Sequence, residues 1–378
     1  LKVVHWTWGN TSGMHRAAES ICEAEKRLGL DSRLAWTDSP DYQDAIFADV
    51  HVGHTFIPAE VWAQRPNLTL VWVAHATPEV VFQSAVEEAK GNRYGHGDPL
   101  MLIQYWMQHS DAIVTFWPRH HEIWKSLCDK RTLVKCIPLG VDKLFWNDKV
   151  PSAGKFVGNP SVLTCENNYV IKWPLDLFVA WPWVQREVHG ARLHATNLPQ
   201  DVHRQFFPLV NRNGSSFSSY ISATRWSHPQ LRNALRSVDY YVGLVRYGDF
   251  NRMSLEAAAC GTKLISYEGN PYADFWVSEG DQRRLAIQLT DILRGDAEAR
   301  VDKEPVPDID ETATQMKALY ELLLSERKQG VYKHFHRPLE AALRDKESWI
   351  ESMVPVQPLS QCESGQARLD RTILGNWE

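Results

Sequence analysis

At 378 residues the chain exceeds what one ordinary hydrophobic core supports, so two domains are expected. A hydrophobic fraction of 44% beside 23% charged residues is that of a soluble globular protein, and a net charge of −5 gives no case for binding nucleic acid through bulk charge. No apolar run reaches the roughly 18 to 20 residues that span a bilayer, so stable membrane insertion is not expected.

The chain begins without Met, and LKVVHWTW reads as a strand entering a polar loop, Gly9 to Gly13, rather than as a leader. A helix over 14–28 follows, with Ala17, Ala18, Ile21, Ala24 and Leu28 on one stripe and Gly29 as its stop. DSRLAW, ADVHVGHT and LTLVWVAHA are strands, the last an unbroken apolar run suited to the centre of a parallel sheet. A helix over 98–109, the strand DAIVTF, a helix over 118–127 and the strand VKCIPLG complete the first series. Residues 143–160 carry Pro151, Gly154, Gly158 and Pro160 and read as a linker. The rhythm then restarts: SVLTCEN, a helix over 174–187, ARLHATN, a helix over 229–236, VDYYVGLV, a helix opened by Ser254, KLISYEG and a helix over 281–294.

Alternation at this spacing predicts an α/β fold of two Rossmann-like, doubly wound domains facing a cleft. The expected boundaries are 1–150, 151–330, and a helical tail over 331–378 that either crosses back to the first domain or frays. Six scattered cysteines without a CxxC pair fit free thiols in a reducing cytoplasm. The histidine pairs 51/54, 120/121 and 334/336 have no Cys or carboxylate at a zinc spacing, so no structural metal is expected. Sixteen tryptophans suit either core packing or stacking on sugars and bases.

Ligands of open parallel sheets sit at the carboxyl ends of the strands. In the first series those ends carry Gly9 to Gly13, then His54, then His75; in the second they carry Glu166-Asn167-Asn168 with Lys172, then Arg246 to Ser254. The loop ending at Gly13 either cradles a phosphate with backbone N–H groups or is a plain turn. Lys172 either neutralises a diphosphate or is an ordinary exposed lysine. His75 is either a site residue or a histidine satisfied at a strand end, and for His54 the latter is favoured.

Two stretches are more specific. One is Gly248-Asp249-Phe250-Asn251-Arg252-Met253-Ser254-Leu255-Glu256 followed by AAACGTKLIS; the other is the tract SDAIVTFWPRHHEIW…VKCIPLGVDKLFW. Over residues 1 to about 295 the chain resembles the retaining, nucleotide-sugar-dependent glycosyltransferases of the GT-B fold, especially family 4. The family writes the first stretch E-G-F-G-x-x-x-x-E, then A-x-A-x-G and a strand, and ends its first domain with an hPxGvD turn.

The resemblance implies that Glu256 binds the donor ribose, where a carboxylate accepts two hydrogen bonds from a vicinal diol. It makes His75 the first-domain active-site histidine, and it places Gly248, Asp249, Phe250, Asn251, Met253 and Ser254 along the donor sugar. The family's first Glu is replaced by Gly248, with Asp249 one place out of register. Asn167 stands where the family has an Arg five residues before Lys172. Arg246, Arg252 or Arg16 would supply the missing charge, so Lys172, Gly13, Asn167 and Arg252 form the expected diphosphate site.

The implied reaction is metal-independent transfer, with retention, from a nucleoside-diphosphate sugar to an acceptor hydroxyl, with no cofactor and no protein nucleophile. A glycan or small molecule is the favoured acceptor. A modified, hydroxylated base in DNA is an alternative, compatible with the tryptophans and with Arg119-His120-His121 and Arg225-Trp226. A degenerate protein that binds sugar nucleotides without turnover is another, motivated by Gly248 and Asn167. Asp308-Ile309-Asp310 has the form of a DxD metal motif but lies in a Pro-rich stretch without a preceding strand, and reads as a solvated turn.

Overall fold

A computed structural model describes residues 1–7, 13–36, 39, 40, 42–54, 57, 61, 68–78, 107, 110–128, 132–149, 154–165, 175–196, 219, 220, 226–246 and 252–329. Within them lie two six-stranded sheets whose strand pairs are all parallel. The first contains β1 (Lys2–Trp6), β2 (Asp31–Ala35), β3 (Val50–Gly53), β4 (Thr69–Ala74), β5 (Ala112–Thr115) and β6 (Leu133–Cys136), in the spatial order β2-β1-β3-β4-β5-β6. Its helices are α1 (Gly13–Arg27), α2 (Tyr42–Ala45) and α3 (Pro118–Leu127).

The second sheet contains β7 (Ser161–Thr164), β8 (Arg192–Ala195), β9 (Ser219–Tyr220), β10 (Tyr240–Gly243), β11 (Lys263–Tyr267) and β12 (Phe275–Val277), ordered β12-β11-β10-β7-β8-β9. The helices that follow in sequence are α4 (Leu175–Glu187), α5 (His228–Ser237), α6 (Arg252–Ala259), α7 (Gln282–Arg294) and α8 (Ile309–Lys328).

Local chemistry accounts for these elements. Strand β4 is buried at every residue, as an interior parallel strand covered on both faces must be. Along β1 the side chains alternate, Val3 joining the core beneath α1 while Val4 and Trp6 join the core on the opposite face. Helix α7 starts at Asp281, whose side chain accepts from the Arg284 N–H, and stops at Gly295 with φ of 83°. Helix α5 opens with a Ser227–Gln230 capping box.

Helix α8 is the element the sequence reading missed. The expectation gave residues 309–310 to a solvated turn, yet Asp308 caps α8 by accepting from the Asp310 N–H, and Asp310 pairs with Arg27 at 2.5 Å. The helix lies on α1, and its buried Ile309, Ala313, Met316, Leu319, Tyr320 and Leu323 share one core with Val3, Ile21 and Val50. Burying each larger side chain contributes about 1.5–3 kcal/mol, whereas a surface pair such as Arg27–Asp310 contributes roughly 0–1 kcal/mol. The apolar stripe therefore carries the docking.

Three polar ties fix its register. Thr312 Oγ1 accepts from the Gly140 N–H and donates to the Pro138 carbonyl, each at 2.8 Å. Tyr320 donates to Glu25 at 2.8 Å, and Arg327 donates to Asp111 at 3.0 Å and to the Leu68 carbonyl. A return to the first sheet is thus made within 309–328; the return expected of 331–378 lies outside the described residues, as does all but Met107 of the helix expected at 98–109. Among the described residues no helix is long and apolar enough to cross a membrane.

Candidate active site

Each sheet reverses its strand order once, and in such sheets the crevice outside the reversal is where ligands bind. In the first sheet the reversal lies between β1 and β3; in the second it lies between β7 and β10. The segments that follow the second pair in sequence, up to the next described helices, include residues 166–174 and 247–251. They hold Asn167, Lys172, Gly248, Asp249, Phe250 and Asn251, all outside the described residues.

Helix α6, which follows the second of those segments, is described. It begins at Arg252, two residues before the expected opening at Ser254. Met253 and Ser254, expected in the donor-sugar loop, are accordingly helical: Met253 packs on the main core and Ser254 is buried. Arg252 and Glu256, one turn apart on a shared face, form an ion pair at 2.7 Å with side chains 11% and 2% exposed. The same guanidinium donates to the Arg16 carbonyl at 2.5 Å and to Ser20 Oγ at 2.7 Å, both on α1. Arg252, expected at the diphosphate, here holds Glu256 and joins the second sheet's helix to the first sheet's.

Two further basic residues bear on this neighbourhood. His228 at the start of α5 has its pKa lowered by burial first, then by Arg16, with Glu256 pulling the other way. Arg246, at the end of the β10 segment, grips Asp176 at 2.8 Å, and that carboxylate also accepts from Tyr267 and Gln282 at 2.5 Å each. Arg246, one of the charges considered for the diphosphate, is held here against α4 by Asp176. Gly13 opens α1, and a Cβ placed on it would meet nothing within 4 Å, so open space adjoins this helix start.

His75 follows β4, edge-on to Phe116 with ring centroids 5.3 Å apart. Its Nε2 lies 2.9 Å from Nδ1 of His54, whose Nε2 lies 2.9 Å from Nδ1 of His5. The His5 Nε2 in turn lies 2.9 Å from Glu25 Oε2. Sequence reasoning singled out His75 and set His54 aside as structural; it did not find His5 or Glu25. One signal was present: Glu25 stands four residues after Ile21, on the apolar stripe of α1, where a carboxylate needs a partner.

No protein-family profile matches the chain, and no curated relative matches it. Solved structures do. Sucrose-phosphate synthase from Thermosynechococcus elongatus superposes with a TM-score of 0.66 at 16% identity, covering 86% of this chain and 99% of that one. HepE from Anabaena, in a complex with UDP-glucose, gives a TM-score of 0.58 at 11% identity, covering 85% and 99%. Apo OtsA gives 0.57 at 10% identity, with the same coverage of 85% and 99%. At these identities the likeness is one of fold: the chain has the two-sheet α/β architecture of GT-B glycosyltransferases.

Proposed function

We propose that the chain is a glycosyltransferase that moves a sugar, with retention and without a divalent metal, from a nucleoside-diphosphate sugar to an acceptor hydroxyl. The observation that carries this reading is the place of Glu256. It is a buried carboxylate on the helix that follows a switch-point strand, in a fold whose solved examples include a protein bound to UDP-glucose. A carboxylate offers about four lone-pair sites, so the Arg252 contact at Oε1 leaves acceptor capacity for both hydroxyls of a ribose.

Lys172 and Asn167, in the loop after β7, are assigned to the diphosphate, together with Gly13 and the start of α1. Residues 248–251, in the loop after β10, are assigned to the donor sugar. Departure of the diphosphate builds negative charge, which a lysine and helix N-termini in place beforehand would stabilise. His75, at the carboxyl end of β4, is assigned to the acceptor side. The aspartates of the DxD-like triplet are engaged as helix cap and as partner of Arg27, so the reading gives them no metal.

The test is calorimetric titration of UDP and other nucleoside diphosphates, in chelator, into the wild type and Glu256→Gln. A charge-assisted hydrogen bond contributes about 1.5–3 kcal/mol, so the substitution is expected to weaken binding by roughly one to two orders of magnitude. Equal affinities in the two proteins would remove the ribose assignment, and binding restored only by Mg²⁺ or Mn²⁺ would remove the metal-free one.

A further inference from the structure

Three imidazoles from different parts of the chain form one hydrogen-bonded row ending on a buried carboxylate. Parity explains how they meet. His5, His54 and His75 share the sheet face of Val3, Val52 and Val73, at or just beyond the carboxyl ends of the adjacent strands β1, β3 and β4. The His5–His54 contact spans the topological switch point itself. Glu25 and His5 are wholly buried and His54 is 3% exposed.

We propose that Glu25 is a positioning residue: acting through His5 and His54, it holds His75 in its Nε2–H tautomer, with Nδ1 as the basic nitrogen. The derivation needs only donors and acceptors. An ionised carboxylate accepts and never donates. Ser32 Oγ at 2.6 Å and Tyr320 Oη at 2.8 Å donate to Glu25, and the third contact then requires His5 to donate from Nε2. A neutral imidazole carries one N–H, so His5 Nδ1 accepts and His54 donates to it from Nε2. By the same step His54 Nδ1 accepts from His75 Nε2. Every ring points its proton toward Glu25, and the polarity set at the carboxylate reaches His75 three contacts away.

The reversed polarity needs one extra proton shared between Glu25 and the row, and at His54, the link between the other two rings, the surroundings oppose it. Burial, then His75, His5 and His15, push the His54 pKa well below its ordinary value. The Tyr320 hydroxyl is pushed well above its ordinary value by burial and by Glu25, and burial raises the Cys22 thiol on α1 to about 11, so both stay protonated. A basic Nδ1 on His75 accepts a hydrogen bond from a substrate hydroxyl; the reversed row would present a donor there instead. The link from tautomer to turnover rests on the glycosyltransferase reading, whereas the tautomer itself does not.

The decisive measurement is nitrogen NMR of the full-length protein labelled with 15N-histidine, near neutral pH, resonances being assigned by single histidine substitutions. Nε2–H tautomers at His5, His54 and His75 are the expected result; an Nδ1–H or doubly protonated His75 overturns the proposal. Glu25→Gln replaces an acceptor-only group by an amide that both donates and accepts, so a second tautomer should appear at His75. His54→Phe cuts the row while keeping a ring in place, and should give the same mixing at His75 with His5 unchanged. A pure Nε2–H signal at His75 in both variants would also overturn it. With a sugar donor and acceptor in hand, both variants should lose about 10- to 100-fold in kcat, the size of effect known for the outer partners of metal-bound histidines, with little change in donor KM. Expected tautomers in a wild type that transfers no sugar would support the relay and count against the glycosyltransferase reading.

Discussion

His54 illustrates how burial of a single ring makes stability depend on pH. Its folded-state pKa lies well below 6.5, with desolvation as the first cause and neighbouring imidazoles next. For a base lowered in this way the unfolded chain takes up the proton first as pH falls. The stability is therefore complete above about pH 6.5 and declines as pH drops through that value toward the folded pKa. His194 and His228 are shifted in the same direction by burial and add to the slope. Urea unfolding between pH 7.5 and 5.5 should show a loss whose slope approaches, at most, about 1.4 kcal/mol per pH unit from His54 below pH 6.5. His54→Gln should flatten the curve; a slope parallel to wild type would dismiss His54 as its source. At this scale the sequence was partly legible. Glu256 stood out because a motif surrounds it, whereas Glu25 and Tyr320 meet across 295 positions, a separation no local pattern encodes.

Among the elements, the turn at Pro138 to Asp142 shows the same divide. Its hPxGvD form is recognisable in the sequence, but the reason for its glycine is not. A Cβ on Gly140 would come within 2.2 Å of the Asp308 carbonyl carbon, because the chain entering α8 runs against this turn. The Val141 N–H donates to the Pro307 carbonyl at 3.1 Å, and the Ile309 N–H returns a bond to Val141 at 3.0 Å. Gly140→Ala should thus destabilise by about 1–3 kcal/mol or more through overpacking, without changing the nucleotide site. A wild-type unfolding midpoint would show that the two segments part easily. Helix α8 itself was readable from Ile309, Ala313, Met316, Leu319 and Leu323 at helical spacing. Pro305 and Pro307 just before it, with the DxD-like triplet at its start, give that stretch the local look of a turn. The parallel sheets were the most legible part, since unbroken apolar strands alternating with striped helices leave few other arrangements.

For the molecule as a whole, Arg252 is a clasp between α6 and α1 as well as the partner of a buried carboxylate. Breaking a buried ion pair from one side typically costs about 3–5 kcal/mol, because the remaining charge is left uncompensated. Arg252→Met should lower stability by an amount in that range and speed amide hydrogen exchange in the first turns of α1, whose Arg16 and Ser20 lie 236 and 232 residues from Arg252 in sequence but in contact with it in space. Unaltered exchange over residues 13–20 would mean that the clasp does not couple the two sheets.

The position of α8 also bears on the order in which the protein can become folded. A ribosome delivers the first sheet's residues long before Ile309 to Lys328, and N-terminal domains usually fold as they emerge. Here α1 would wait, its apolar stripe uncovered and the Glu25 carboxylate short of its Tyr320 partner, until the last described helix arrives. The nascent first sheet is consequently a species with an open face, and completion of its core awaits the arrival of Ile309–Lys328.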